Sequence, residues 1–238
     1  MQALCKHHTA LLLCCLCLLV TATQVQAQNQ GNFNYLDFAN KPYYFGITLG
    51  ANSADYRIIP STRFLASDSI IGVRSAGSAG GNVGIVTNLN VGKYFDFRVL
   101  PTLSFTERQL YYTHLNGTET RRRIESVFVE LPVQVRYKSE PYHDVRLFII
   151  GGIKYGFDVA SNSRARQAEK LVKVASSDFS IEYGAGFQIF LPYFIFSPEF
   201  KVSQGLGNVL IFDKNLPESS VLEQLISRTF TISFHFEG

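Results

Sequence analysis

From Tyr43 the chain alternates with a period of two. Tyr43, Phe45, Ile47, Leu49 and Ala51 form an apolar face, and Tyr44, Gly46, Thr48, Gly50 and Asn52 a small or polar one, which is the pattern of a half-buried β-strand. It recurs seven times. Val83, Ile85, Leu89 and Val91 alternate with Asn82, Gly84, Asn88 and Asn90, and Phe95, Phe97, Val99, Leu103 and Phe105 with Arg98, Thr102, Ser104 and Thr106. The fourth is the cleanest: Val127, Val129, Leu131, Val133, Val135 and Tyr137 against Ser126, Glu130, Gln134 and Arg136. The remaining four are centred on Leu147 to Asp158, Phe179 to Ile189, Phe194 to Ser203 and Thr229 to Phe236.

Strands of about ten residues match a tilted transmembrane strand, and eight is a number of strands at which outer-membrane barrels close. A soluble lipocalin-type barrel alternates in the same way, with its apolar face inward and a charged face outward. Here the polar faces consist of Gly, Ser, Thr and Asn with a few charges of both signs, and the apolar faces end in aromatic residues. This favours apolar-out packing. Tyr43, Tyr94, Phe95, Tyr137, Tyr193, Phe194 and Phe236 would form one aromatic girdle, and Tyr56, Tyr111, Tyr112, Phe157 and Phe179 the other. Short connections (90–93, 139–144 and 192–193) alternate strictly with long ones (59–78, 113–122, 159–176 and 206–226). The expected fold is all-β: an eight-stranded antiparallel transmembrane β-barrel of the outer membrane, with short periplasmic turns and four long extracellular loops. Pro101, Pro132 and Pro198 fall inside strands, where each removes a ladder donor, so bulges are expected there.

Composition agrees. With 46% hydrophobic and 17% charged residues the chain is too apolar for disorder, and no apolar run approaches the ~20 residues of a spanning helix. It has 20 Phe, 12 Tyr, 18 Gly and no Trp, usage that favours strands. The net charge of +3 is scattered, which gives no nucleic-acid footprint. The N-terminus reads as an export signal over residues 1–27: basic Lys6, His7 and His8, an apolar Ala10 to Val20, and Val25-Gln26-Ala27 before the cleavage point. All four cysteines lie inside it, so the mature chain would have no thiol or disulfide. A lipoprotein anchor at Cys17 competes weakly, because Leu16 stands where a small residue is wanted. Residues 28–41 would be an N-terminal periplasmic segment, placed beneath the barrel or against a partner, and 42–238 the barrel domain.

An eight-stranded barrel is just filled by its own side chains. Arg98, Glu130, Arg136, Glu182, Glu199 and Lys201 would therefore form a lumen charge network. A plug of paired charges is favoured over a conducting path. Binding then falls to the loops. Arg164, Arg166, Lys170 and Lys173 make the third loop basic, and Arg121, Arg122 and Arg123 add a second cluster. A capping box from Ser220 to Glu223 would open a helical turn exposing Leu222, Leu225 and Ile226. These residues are the candidate partner contacts, with lipopolysaccharide attracted to the basic loop. A lipid A hydrolase is the enzymatic alternative, since Ser233 and His235 share a strand face, but that face is expected to point inward. No catalytic, cofactor or metal site is expected.

The chain also resembles the PorT family of outer-membrane barrels in the type IX secretion apparatus of Bacteroidetes. The resemblance runs from about Tyr35 to Gly238 through Asn40-Lys41-Pro42-Tyr43-Tyr44-Phe45-Gly46, Phe64-Leu65-Ala66-Ser67-Asp68-Ser69-Ile70, Lys93-Tyr94-Phe95-Asp96-Phe97-Arg98, Arg123-Ile124-Glu125-Ser126, Glu130-Leu131-Pro132-Val133-Gln134, Ala160-Ser161-Asn162-Ser163-Arg164-Ala165-Arg166, Phe194-Ile195-Phe196-Ser197-Pro198-Glu199, Ser203-Gln204-Gly205-Leu206 and Ser233-Phe234-His235-Phe236-Glu237-Gly238. It implies a non-enzymatic role in exporting or maturing proteins that carry C-terminal sorting domains, through contacts with other apparatus components. The alternative is a small structural or porin-like barrel.

Overall fold

The computed structural model describes residues 34–39, 41–61, 70–160, 173–211 and 221–238. A short helix, α1 (Tyr35–Ala39), precedes β1 (Tyr43–Pro60), β2 (Ile70–Val91), β3 (Phe95–Val99), β4 (Thr102–His114), β5 (Glu119–Lys138), β6 (Val145–Asp158), β7 (Lys173–Val174), β8 (Ser177–Phe190), β9 (Ile195–Gly205), β10 (Leu210–Ile211) and β11 (Leu222–Glu237). Every ladder is antiparallel, and β1 pairs with both β2 and β11, which closes the sheet. β3 and β4 are two halves of one stave, since both lie between β2 and β5. The ring therefore has eight staves, while β7 and β10 pair separately within their connections.

Alternation sets which face meets lipid. Tyr43, Phe45, Ile47 and Leu49 are exposed, and Tyr44, Thr48 and Asn52 are buried inside the ring. The same holds on the other staves: Val129, Leu131 and Val135 face out while Gln134 and Arg136 face in. Buried polar groups inside and exposed large apolar groups outside invert the arrangement of a water-soluble barrel, as a bilayer requires. The periplasmic aromatic level is on the wall, with Tyr43, Tyr94, Phe95, Tyr137 and Tyr193 all exposed. The other level needs correction. Phe157 and Phe179 face outward, but Tyr56 and Tyr112 are buried within the ring.

The strands outrun the bilayer. β2 has 22 residues and β5 has 20, against the ~10 a tilted span needs, and the surplus stands at the extracellular end. The expected loop at 113–122 is mostly ladder, paired from Thr113↔Glu119 to Leu110↔Arg122, and leaves only the Leu115–Thr118 turn. Gly117 has φ +79° there, and Asn116 Oδ1 accepts the Thr118 N–H at 3.1 Å. The segment 70–77, expected in a loop, is likewise paired with β4. Outside the membrane the outward face meets water while inward Tyr56, Ile70, Leu110 and Tyr112 are buried, so the apolar-out alternation stops while the hydrogen-bonded ladder continues.

The three strand prolines are accommodated without bulges. Pro101 lies in the break between β3 and β4, and the register is the same on both sides of it. Leu100 N–H donates to the Pro132 carbonyl at 3.1 Å, and the return bond from Pro132 is impossible because proline has no N–H. The Leu100 carbonyl instead accepts the Thr102 hydroxyl at 2.7 Å. Opposite Pro198 the β8–β9 ladder lapses between Gly186↔Glu199 and Ile189↔Phe196 and then resumes in register. Register shifts occur elsewhere, at Ile59/Pro60, Ile70/Gly72 and Gly77/Gly81.

Candidate functional site

The inward faces of eight staves converge on a layered interior. In the periplasmic half, Arg98 donates to Glu199 at 2.8 Å and to Glu237 at 2.9 Å, with all three side chains fully buried. Arg136 donates to Asp96 through both Nε (2.9 Å) and Nη2 (2.7 Å), to Asn88 at 3.0 Å and to the Tyr44 hydroxyl, and its Nη1 lies 3.7 Å from Glu237. Lys138 also bonds Asp96. His235 Nε2 sits 3.4 Å from Glu199, and Lys201 is 3.8 Å from its other oxygen. Arg98 and Arg136 are thereby each shared between acceptors, the condition under which charges tolerate removal from water. Gly186 makes room for the layer: a Cβ there would meet the Phe148 ring at 2.6 Å, and Phe148 stacks on the Arg136 guanidinium.

A second set lies toward the extracellular side. Lys154 bonds Glu130 at 3.0 Å and Ser203 at 3.3 Å, and is 3.6 Å from Glu182, which accepts from Gln134 and Ser203 at 2.7 Å each. The void beside it has a volume of about 10 Å³, roughly what a single water occupies. Arg108 continues the stack with its guanidinium over Tyr56 and Phe128. The structure thus places all six sequence-selected charges, Arg98, Glu130, Arg136, Glu182, Glu199 and Lys201, inside the ring. It also buries Lys154 and His235, whose strand faces alternation turns inward, and adds Asp96, Arg108, Lys138 and Glu237. Asp96 and Glu237 have the inward parity of Arg98 and His235, a signal available in the alternation.

Above the charges sits an apolar plug of Tyr56, Ile70, Leu110, Tyr112, Val209, Val221, Leu222 and Leu225. Leu222 and Leu225 were expected as exposed partner contacts on a capped helical turn; instead they belong to this plug and are buried. The residues form strand β11 rather than a helix: Leu225 shares the inward parity of Ser227, Thr229 and Thr231, and the register shift opposite Ile59/Pro60 turns Leu222 inward as well. Ile226 is only partly buried. Arg164, Arg166 and Lys170 lie outside the described residues, as do the side chain of Lys173 and residues 1–27 of the expected export signal. Arg121 and Arg123 stand outward on the tall sheet but are interleaved with acids, Glu107 lying 3.8 and 3.2 Å away. Ser233 and His235 are both buried in the lumen, away from the lipid-facing wall.

The periplasmic end is closed differently. Asp144 in the β5–β6 turn accepts the Tyr35 N–H at 3.1 Å and the Asn34 amide at 3.4 Å, which anchors α1 across the mouth. Phe38 and Tyr35 then pack on Phe190, beside Tyr44 and Ile195. Between this cap and the rim lies a cavity of about 520 Å³. On the rim Glu140 accepts from Lys93 at 2.7 Å and from Tyr94 at 2.5 Å, and these donors hold its carboxyl below the usual range.

Three solved barrels are similar. Ail, the attachment invasion locus protein of Yersinia pestis, solved with the heparin analogue sucrose octasulfate, is 13% identical; the match covers 83% of this chain and 100% of Ail, with TM-score 0.36. Neisserial surface protein A is 10% identical over 81% of this chain and 96% of that one, with TM-score 0.39. OprG of Pseudomonas aeruginosa is 11% identical over 81% and 95%, with TM-score 0.38. No curated protein matches. The family model for the outer membrane protein beta-barrel domain matches residues 26–210, well over half the chain, and the chain belongs to that outer-membrane β-barrel family.

Proposed function

We propose that the protein is a non-enzymatic component of type IX secretion, required in the outer membrane for export or maturation of proteins with C-terminal sorting domains. It acts through protein contacts rather than as a pore. The second half is supported by the interior, where among the described residues two charge layers and an apolar plug fill the ring, which favours function at the ends or on the wall. The first half rests on the loop and lumen stretches shared with the PorT family, among them Lys93 to Arg98 and Glu130 to Gln134. The inward burial of Ser233 and His235 favours the non-enzymatic reading over a lipid A hydrolase.

On this reading the chain is exported with a signal cleaved after Ala27. The extracellular rim, with Arg164, Arg166, Lys170, Lys173 and Ile226, meets apparatus partners and lipopolysaccharide. The test is a clean deletion followed by a census of secreted proteins and of lipid A. Loss of export confined to cargo with the C-terminal sorting domain is the expected result. Intact secretion with altered lipid A acylation would favour the enzyme, and intact secretion with unaltered lipid A would leave a structural barrel.

A further inference from the structure

Arg146, near the start of β6, is 7% exposed and faces the periplasmic cavity. Its guanidinium lies over the Tyr35 ring at 5.0 Å and over the Phe190 ring at 5.6 Å. Among the described residues no carboxylate lies within ion-pair distance of it, and its Nε is without an acceptor. Arg98 and Arg136 are each held by two acids, whereas Arg108, 5% exposed, rests like Arg146 on two rings, those of Tyr56 and Phe128, with its Nε unpaired, but it does not line this cavity. A desolvated, unpaired guanidinium is costly unless something occupies the position an acid would take. A second side chain is unfinished in the same cavity. Gln188 is 1% exposed, its amide donates toward Tyr44 and Glu237, and its Oε1 has no donor.

The two orphans are complementary in sign: Arg146 lacks an acceptor and Gln188 lacks a donor. A single group that supplies both is the end of a polypeptide, whose carboxylate fits the planar guanidinium fork and whose terminal amide N–H fits a carbonyl. Phe38, Phe190 and Ile195 offer apolar surface for the last side chain, and ~500 Å³ lies in the usual range for such a site. We infer that the periplasmic mouth is a binding site for the C-terminal carboxylate of an extended polypeptide entering from the periplasm. A phospholipid headgroup carries similar chemistry, but Arg146 and Gln188 face the interior of the ring, where acyl chains have no apolar wall to follow. The inference goes beyond the secretion reading and does not depend on it.

The test uses the full mature chain in detergent micelles and calorimetric titration with acetylated tetrapeptides ending in Ala, Leu, Phe or Lys, each as free acid and as C-terminal amide. The free acids should bind saturably, at least one of them about tenfold more tightly than its amide, the scale of one charge-assisted hydrogen bond. Arg146→Leu should abolish that preference while the boiled and unboiled gel bands remain distinct. Gln188→Leu should weaken the acid and leave a preference over the amide. Equal affinity for every acid and amide pair in the wild-type chain, or no binding of any acid, would overturn the proposal, and this comparison needs no variant. So would displacement of the bound acid by short-chain phosphatidylethanolamine at concentrations where inorganic phosphate does nothing, which would assign the site to a lipid headgroup. A preference for acids that survives Arg146→Leu would place the carboxylate elsewhere and also overturn it.

Discussion

Arg98 separates two carboxylates, Glu199 and Glu237, that would otherwise share a space closed to water. Arg98→Met removes the cation and leaves both acids buried, and breaking such a pair costs about 3–5 kcal/mol. The midpoint of urea unfolding in detergent, read from the gel-mobility shift, should fall accordingly. Combining Arg98→Met with Glu199→Gln and Glu237→Gln should recover much of the loss, and no recovery would argue against charge pairing as the cause. Thr102 makes a smaller prediction. Its hydroxyl satisfies the Leu100 carbonyl only because Pro132 cannot, so Thr102→Val should cost about 1–2 kcal/mol in the natural chain. The same change should cost little in a Pro132→Ala background, where the new N–H can take that carbonyl. At this scale the sequence was legible wherever strict alternation held: Arg98, Glu130, Arg136, Glu182, Glu199 and Lys201 all have inward parity. Glu237 shares that parity, but its pairing with Arg98, 139 residues away, is visible only in the fold.

The elements show where alternation stops being informative. β11 changes the phase of its inward positions at one register shift, and that single irregularity turns Leu222 into the extracellular plug, while Leu225 reaches it by continuing the inward parity of Ser227 and Thr229. A bulge leaves no mark in the apolar pattern of the strand that carries it. Leu225→Ser should therefore destabilise the barrel by about 3 kcal/mol or more, the scale of emptying a leucine site, measured by the same unfolding midpoint. An unchanged midpoint would return Leu225 to the surface. The Gly-Ser-Ala run of β2 was equally silent, since residues 75–81 have no side chains large enough to declare a face, yet they pair with β1 or β4. Short α1 was invisible for another reason: five residues carry no helical periodicity, and Asp144 and Phe190 fix them from elsewhere in the chain.

The whole molecule is a closed ladder around a filled interior. Closure leaves no edge strand to fray in detergent, so unboiled protein should migrate faster on gels than boiled protein, and identical mobility at all temperatures would contradict a closed ring. The charge layers and plug among the described residues join the fold to the proposed role, because a barrel occupied by its own side chains would act through its ends and wall. The most direct measurement is current across a planar bilayer containing the purified full-length mature chain, with insertion verified by its heat-modifiable band. The charge layers around Arg98 and Arg136 and the plug around Leu225 predict no steady conductance steps at any applied voltage below membrane rupture. Reproducible, long-lived steps would show a continuous aqueous path through the ring and contradict the account.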